Sequence, residues 1–83
     1  MEKLNEQDVE KVVGGITEDE ALKAALKHAG LSKDAIDFVK KVKLDYEHGR
    51  KVYEISFYKG RMEYEYDVDC ATGEIVKFEK DWD

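Results

Sequence analysis

The stretch between Thr17 and Gly30 has a helical distribution of apolar and polar residues. One apolar stripe, at spacings of three and four, consists of Leu22, Ala25, Leu26 and Ala29. Thr17 is a good N-cap, and Glu20 three residues later can complete a capping box with it. Gly30 can adopt the left-handed conformation that ends many helices. The pattern therefore predicts one amphipathic helix over residues 18–29.

From Ile36 onward the apolar period changes from 3.6 to 2, which is typical of strands. Lys40 interrupts the first strand and indicates a bulge or an edge position. Glycine-containing turns at residues 46–50, 59–61 and 70–73 separate four such runs, of which residues 62–69 alternate most regularly. Strands joined by short turns pair as antiparallel neighbours, so the sequence predicts a four-stranded meander sheet.

One face of this predicted sheet is apolar and the other is acidic. The helix must cover the apolar face to bury both stripes, so the fold class is α+β with two layers. The acidic row of Glu63, Glu65 and Asp67 then faces solvent, where it is a solvated surface or meets a basic partner. Tyr58 and Trp82 are the aromatic residues expected to be most exposed. These five residues are the candidate partner contacts.

Charge and composition narrow the function classes. The 83 residues suit one domain, and 20 acidic against 14 basic residues give a net charge of −6, which disfavours binding to nucleic acid. No apolar run is long enough for a membrane span or a secretory signal peptide. The single cysteine excludes an internal disulfide.

Candidate chemical groups are few and scattered. His28, His48 and Cys70 follow no known metal or catalytic spacing. Acidic residues around a glycine-containing turn could hold a hard cation, although their spacing is not that of an EF-hand loop and solvated turn acids are the favoured interpretation. They are Asp67, Asp69 and Glu74. We therefore predict no enzyme activity, no metal and no cofactor.

Residues 16–81 resemble the PepSY domain, a small module of metallopeptidase propeptides and bacterial envelope proteins. Three segments carry the resemblance in order: ITEDEALKAALKHAGL, VKLDYEHGRKVYEISF and YEYDVDCATGEIVKFEKD. Cys70 stands where the family often has alanine. The resemblance implies a non-enzymatic module that binds or restrains a peptidase, and it brings no catalytic motif. Another envelope protein is the alternative partner.

The first fifteen residues, MEKLNEQDVEKVVGG, resemble the double-glycine leader of bacteriocin-type peptides. Papain-like peptidase domains of ABC exporters recognise such leaders and cut after the second glycine. The apolar leader positions are occupied by Met1, Leu4, Val9 and Val12. The resemblance implies that Asp8 fills an acidic recognition position and that Gly14 and Gly15 form the cleavage site.

The residue types agree with such a leader. Spaced apolar residues can anchor a transient helix in a partner groove, and two glycines let the backbone enter a narrow active-site tunnel. We therefore expect a leader, helical or disordered, at residues 1–15 and a PepSY-like domain at residues 16–83, synthesised in the cytoplasm and secreted. The alternative is a cytoplasmic or envelope-associated regulatory protein whose residues 5–13 form a permanent, glycine-capped helix that is not cleaved.

Overall fold

The computed structural model describes residues 15–82, and it contains one α-helix, one short 3₁₀ helix and one four-stranded sheet. The elements are α1 (Glu18–Ala29), the 3₁₀ helix (Lys33–Ala35), β1 (Phe38–Glu47), β2 (Arg50–Lys59), β3 (Met62–Asp69) and β4 (Ile75–Trp82). The strands are antiparallel and lie in the order β1-β2-β3-β4. This confirms the predicted α+β meander. Residues 1–14, which contain most of the predicted leader, lie outside the described residues, as does Asp83.

The bounds of α1 agree with the helix predicted over residues 18–29. The Thr17 hydroxyl accepts a hydrogen bond from the Glu20 amide at 3.1 Å, and the Glu20 carboxylate accepts one from the Thr17 amide at 2.9 Å. Gly30 ends the helix with a left-handed backbone, at φ 76°. Both ends are therefore fixed by local interactions that the sequence encodes directly.

The strands are longer than the sequence indicated. The β1–β2 turn consists of His48 and Gly49, both with positive φ, as tight hairpins require. The polar residues on either side of this turn are paired between β1 and β2, Glu47 with Arg50 and Tyr46 with Lys51. At the other end of the sheet, β4 continues through charged residues to Trp82, which pairs with Met62. The predicted irregularity in β1 is confirmed by a register shift between Val39 and Lys41.

The hydrophobic core lies between α1 and the two central strands. It consists of Ala21, Leu22, Ala25 and Leu26 from the helix and Ile55, Phe57, Tyr66 and Val68 from β2 and β3. Burying each large apolar side chain stabilises the fold by roughly 1.5–3 kcal/mol. Within residues 15–82, no helix has the length and apolar character needed to cross a bilayer.

Candidate functional site

The side of the sheet that faces away from α1 carries most of the charged residues, and we call it the open face. Alternation along the strands and the cross-strand register place the same-side residues in rows. Its central row lies on β3. In the structure the acidic row includes one further residue, Asp69, and thus consists of Glu63, Glu65, Asp67 and Asp69. Lys77, Glu79 and Asp81 lie beside this row on β4.

Glu63 begins the acidic row and is almost completely buried, with 8% of its surface exposed. Its carboxylate accepts hydrogen bonds from Ser56 Oγ at 2.8 Å and from the Tyr58 hydroxyl at 3.1 Å, and it contacts Lys40 Nζ at 3.2 Å. The Ser56 hydrogen bond is the main reason that the pKa of Glu63 is lowered, against the opposing effect of burial. The expectation that the whole row faces solvent is therefore wrong at Glu63, because three donors enclose its carboxylate.

Asp69 ends the row and holds the β3–β4 turn together. Its carboxylate accepts hydrogen bonds from the amides of Ala71 at 2.7 Å and Thr72 at 3.1 Å, and Arg50 Nε lies 3.2 Å away. The Ala71 hydrogen bond is the largest cause of the lowered pKa of Asp69. A structural role in the turn therefore accounts for this carboxylate without a bound cation.

The middle of the row, Glu65 and Asp67, has the opposite electrostatic character. Burial raises the pKa of Glu65 most, its contact with the neighbouring Glu63 carboxyl raises it further, and the negative charges of Glu79 and Asp81 contribute less. Glu65 lies directly opposite Glu79, a cross-strand pair of like charges. Burial also raises the pKa of Asp67, although the charge of Lys77 partly offsets that effect. A positive charge supplied from outside would therefore be favoured at this position.

The two aromatic candidate contacts lie in different surroundings. Tyr58 is half-buried on the open face, and its ring stacks on Phe38 with centroids 5.0 Å apart. Trp82 is 71% exposed, but it pairs with Met62 and lies on the helix side of the sheet. The structure thus brings Tyr58 next to Glu63 and leaves Trp82 apart from the acidic row. All five candidate contacts remain predictions.

The histidines and the cysteine have separate environments. His28 Nδ1 lies 3.0 Å from the Tyr66 hydroxyl, whose pKa burial raises to about 12. His48 occupies the β1–β2 turn, and Cys70 is buried, which raises the pKa of its thiol. Burial and a raised pKa are the reverse of what a nucleophilic thiolate needs.

A group that the sequence analysis missed lies where β1 and β2 pair. Within residues 15–82, carboxylate oxygens of Asp45, Glu47 and Glu54 lie within 4.8 Å of one another. Lys41 Nζ contacts Glu54 Oε1 at 3.3 Å, so a lysine already neutralises part of this group. The i, i+2 spacing of the two β1 acids was visible in the sequence, but the hairpin register that adds Glu54 was not. The turn acids Asp67, Asp69 and Glu74, considered above as a cation site, do not form such a group.

A shallow groove of about 530 Å³ lies beside the acidic row at the hairpin end of the open face. Residues of both charge signs line it, among them Glu47, Arg50, Asp67 and Lys77. Asp67 is thus accessible from this groove. The groove therefore borders the middle of the acidic row at Asp67.

Gly15, the second glycine of the predicted cleavage site, packs against the β3–β4 turn. Its φ is +87°, and a Cβ there would overlap the Cys70 carbonyl oxygen and lie 2.9 Å from Ala71 Cα. The Ile16 amide donates to the Cys70 carbonyl at 2.8 Å, and the Tyr53 hydroxyl donates to the Ile16 carbonyl at 3.1 Å. Gly15 therefore has a structural role that the leader pattern did not reveal.

Comparison with known proteins identifies the family. Residues 15–79 match the PepSY family model, described as "Peptidase propeptide and YPEB domain". An uncharacterized protein of Streptococcus pyogenes serotype M6, Spy1430, is 37% identical over 62 residues, which are 75% of this chain and 47% of the relative. The chain thus spans about half the length of that relative. No solved structure matches.

The family match covers the helix and most of the sheet. It begins at Gly15, one residue before the predicted domain boundary at residue 16, and it ends within β4. PepSY domains are generally non-catalytic, propeptide-like or inhibitor-like modules. The match therefore identifies this chain as a member of the PepSY family.

Proposed function

We propose that this chain is a small, non-enzymatic binding module that is exported after cleavage behind Gly15 and that binds or restrains a peptidase. The observation that carries the binding part is the pair of Glu65 and Asp67 in the middle of the acidic row. Both carboxylates have raised pKa values, so their ionised forms are disfavoured in the free protein. Membership of a peptidase-propeptide family supports a peptidase as the partner.

Charge complementarity explains how the open face would act. An arginine or lysine of a peptidase, placed between Glu65 and Asp67, would relieve the repulsion that each has with nearby acids, chiefly Glu63 and Glu79 for Glu65 and Glu47 for Asp67. Glu63 and Asp69 would contribute indirectly, because their internal hydrogen bonds hold β3 and its turn in place. Capture of a peptidase by the 16–83 fragment, and its loss at high salt, tests this part.

The leader proposal rests on the pattern of residues 1–15. Four apolar positions and Gly14 lie immediately before the PepSY match, which begins at Gly15. The structure adds a condition to this proposal. The Gly15–Ile16 bond lies against the β3–β4 turn, with a left-handed residue on one side and a hydrogen-bonded amide on the other. A peptidase tunnel needs an extended, accessible chain, so processing requires that this contact is open or not yet formed.

The processing experiment uses the full chain and the peptidase domain of a double-glycine ABC exporter from the same genome. Mass spectrometry should find a new N-terminus at Ile16, and denaturant concentrations that open the domain while the peptidase stays active should accelerate the cut. Gly14→Val should prevent cleavage, because a β-branched side chain obstructs the tunnel. Gly15→Val is a poorer test, since it also disturbs the Cys70 contact.

A matched variant controls for recognition of the leader. Replacing Leu4, Val9 and Val12 together with aspartate removes three apolar anchors and leaves the glycines and the folded domain unchanged. This variant should remain uncut. If it is cut as fast as the original chain, or if the original chain stays intact under every condition, the leader proposal is wrong.

The alternative is a cytoplasmic or envelope-associated regulatory protein that keeps its N-terminal segment. The observation that favours it is the close packing of Gly15 on Cys70, since this contact accounts for a glycine without any cleavage. The mass of the protein recovered from cells and from culture medium distinguishes the two. A shortened protein in the medium supports export, whereas a full-length protein retained in cells supports the alternative.

A further inference from the structure

The two edges of the sheet are built differently. β1, at one edge, contains a register shift and three lysines, Lys40, Lys41 and Lys43. Bulges and lysines are features that keep an edge strand from pairing with another chain. β4, at the other edge, has its register shift next to its first residue, between Ile75 and Lys77, and it pairs regularly with β3 from Lys77 to Trp82. Its aromatic residues Phe78 and Trp82 are 42% and 71% exposed.

We propose that β4 pairs antiparallel with β4 of a second copy of this chain, centred on Phe78. In this register Phe78 lies opposite its own copy, and Lys77 of each chain lies opposite Glu79 of the other. The two-fold symmetry creates this opposite-charge pair twice. The result is a continuous eight-stranded sheet whose open faces lie on the same side.

Neighbouring symmetric registers are unfavourable. Centring the pair on Lys77, Glu79 or Lys80 places a charged residue opposite its own copy, and the register centred on Lys80 also sets Glu79 against Asp81. The register centred on Phe78 avoids like-charge pairs. A register centred on Val76 also avoids like charges, but it pairs only residues 75–77 of β4, whereas the register centred on Phe78 pairs residues 75–81.

The electrostatics of Glu79 add an independent reason. Within its own sheet Glu79 lies directly opposite Glu65, an unfavourable pair of like charges at the edge. The proposed pairing places Lys77 of the second copy on the other side of Glu79. The second copy thus adds a positive charge next to Glu79 at the sheet edge. On the helix side, the exposed Phe78 ring gains an aromatic neighbour.

Exchanging the charges of Lys77 and Glu79 tests the proposed pairing of β4 with its copy. Sedimentation analysis of the full chain from about 1 µM to about 1 mM should detect a monomer–dimer equilibrium, the range expected for a small interface. Lys77→Glu or Glu79→Lys alone creates two like-charge pairs and should raise the dissociation constant roughly tenfold or more. The double variant exchanges both charges and should restore the dissociation constant to within about threefold. Lys43→Glu, on β1, makes the same change in net charge as Lys77→Glu and should leave dimerisation unaffected.

Cysteine cross-linking tests the register. In a Cys70→Ala background, Phe78→Cys places two thiols on directly opposed residues, whose Cα atoms would lie about 4.5–5.5 Å apart. Lys80→Cys places them roughly 13 Å apart along the strands, too far for a disulfide. Mild oxidation should therefore give a covalent dimer with cysteine at position 78 and not at position 80. A monomer at all concentrations, equal cross-linking at both positions, or no recovery in the double charge variant would overturn the proposal.

Discussion

The two sides of β3 carry different kinds of side chain. On the side that faces α1, Tyr66 and Val68 are buried in the core. On the open face, the same strand carries four acids, and only the two at its ends have their carboxylates enclosed by hydrogen-bond donors. The pKa values follow this division, since they are lowered at Glu63 and Asp69 and raised at Glu65 and Asp67.

This difference shows that an acidic strand is not uniformly a solvated surface. The helix side and the two end acids stabilise the fold, whereas the two middle acids oppose it slightly. The contrast between the enclosed end acids and the middle acids, whose ionised forms are disfavoured chiefly by burial, is a property that the acidic pattern alone does not show. It is the reason for assigning partner binding to the middle of the row.

The helix side should give the largest loss of stability. Phe57 is fully buried and lies between the rings of Tyr64 and Tyr66. Phe57→Ala should lower the free energy of unfolding by about 3–5 kcal/mol, because it leaves a cavity under α1. Urea denaturation measures this loss. Phe38→Ala, at a 55% exposed aromatic residue, is the matched control and should cost less than half as much.

The enclosed end of the acidic row should give an intermediate loss. Glu63→Gln removes the charge that accepts from Ser56 and pairs with Lys40, so it should lower the free energy of unfolding by about 1–3 kcal/mol. Glu65→Gln, two residues along the same row, should leave it unchanged or raise it slightly. Equal losses in the two variants, again by urea denaturation, would show that the distinction between end and middle is wrong.

The smallest effect should be on how the free energy of unfolding varies with pH: it should rise on mild acidification and fall at lower pH. The raised pKa values of Glu65 and Asp67 mean that ionisation disfavours the folded state, so acidification from about pH 6 towards about pH 4.5 should increase stability. The lowered pKa values of Glu63 and Asp69 mean that stability present above about pH 4 is lost at lower pH.

Denaturation across this pH range in two variants separates the contributions. Glu65→Gln combined with Asp67→Asn should remove the rise, which we expect to be less than about 1 kcal/mol because solvent partly screens these groups. Asp69→Asn should weaken the loss below about pH 4. A rise that persists in the double variant would assign it to other carboxylates.

Local signals in the sequence were sufficient for most of the fold. The capping box at Thr17 and the glycine at residue 30 fixed α1, and the alternation of β3 fixed its bounds. The extra length of β4 was not predictable in this way. Its charged residues resemble a tail, and only pairing with β3 makes them a strand.

The candidate site was predictable only in outline. The alternation placed the acids on one face, but it did not reveal that Ser56, Tyr58 and Lys40 meet at Glu63, because those contacts depend on cross-strand register and on the β1 bulge. The role of Gly15 was hidden for a similar reason. Its contact with Cys70 joins residues 55 positions apart, and a local pattern carries no information about such a pair.

The most direct test of the account is binding of a thermolysin-like metallopeptidase by the folded domain before and after charge reversal of the middle acids. Glu65→Lys combined with Asp67→Lys should weaken binding tenfold or more in a domain that is still folded at the temperature of the measurement. Glu18→Lys combined with Asp34→Lys makes the same change in net charge at exposed positions off the sheet and should bind normally. Isothermal titration calorimetry of the three proteins decides the matter. Absence of binding by the original domain, or equal binding by the domain with reversed middle acids, would contradict the account.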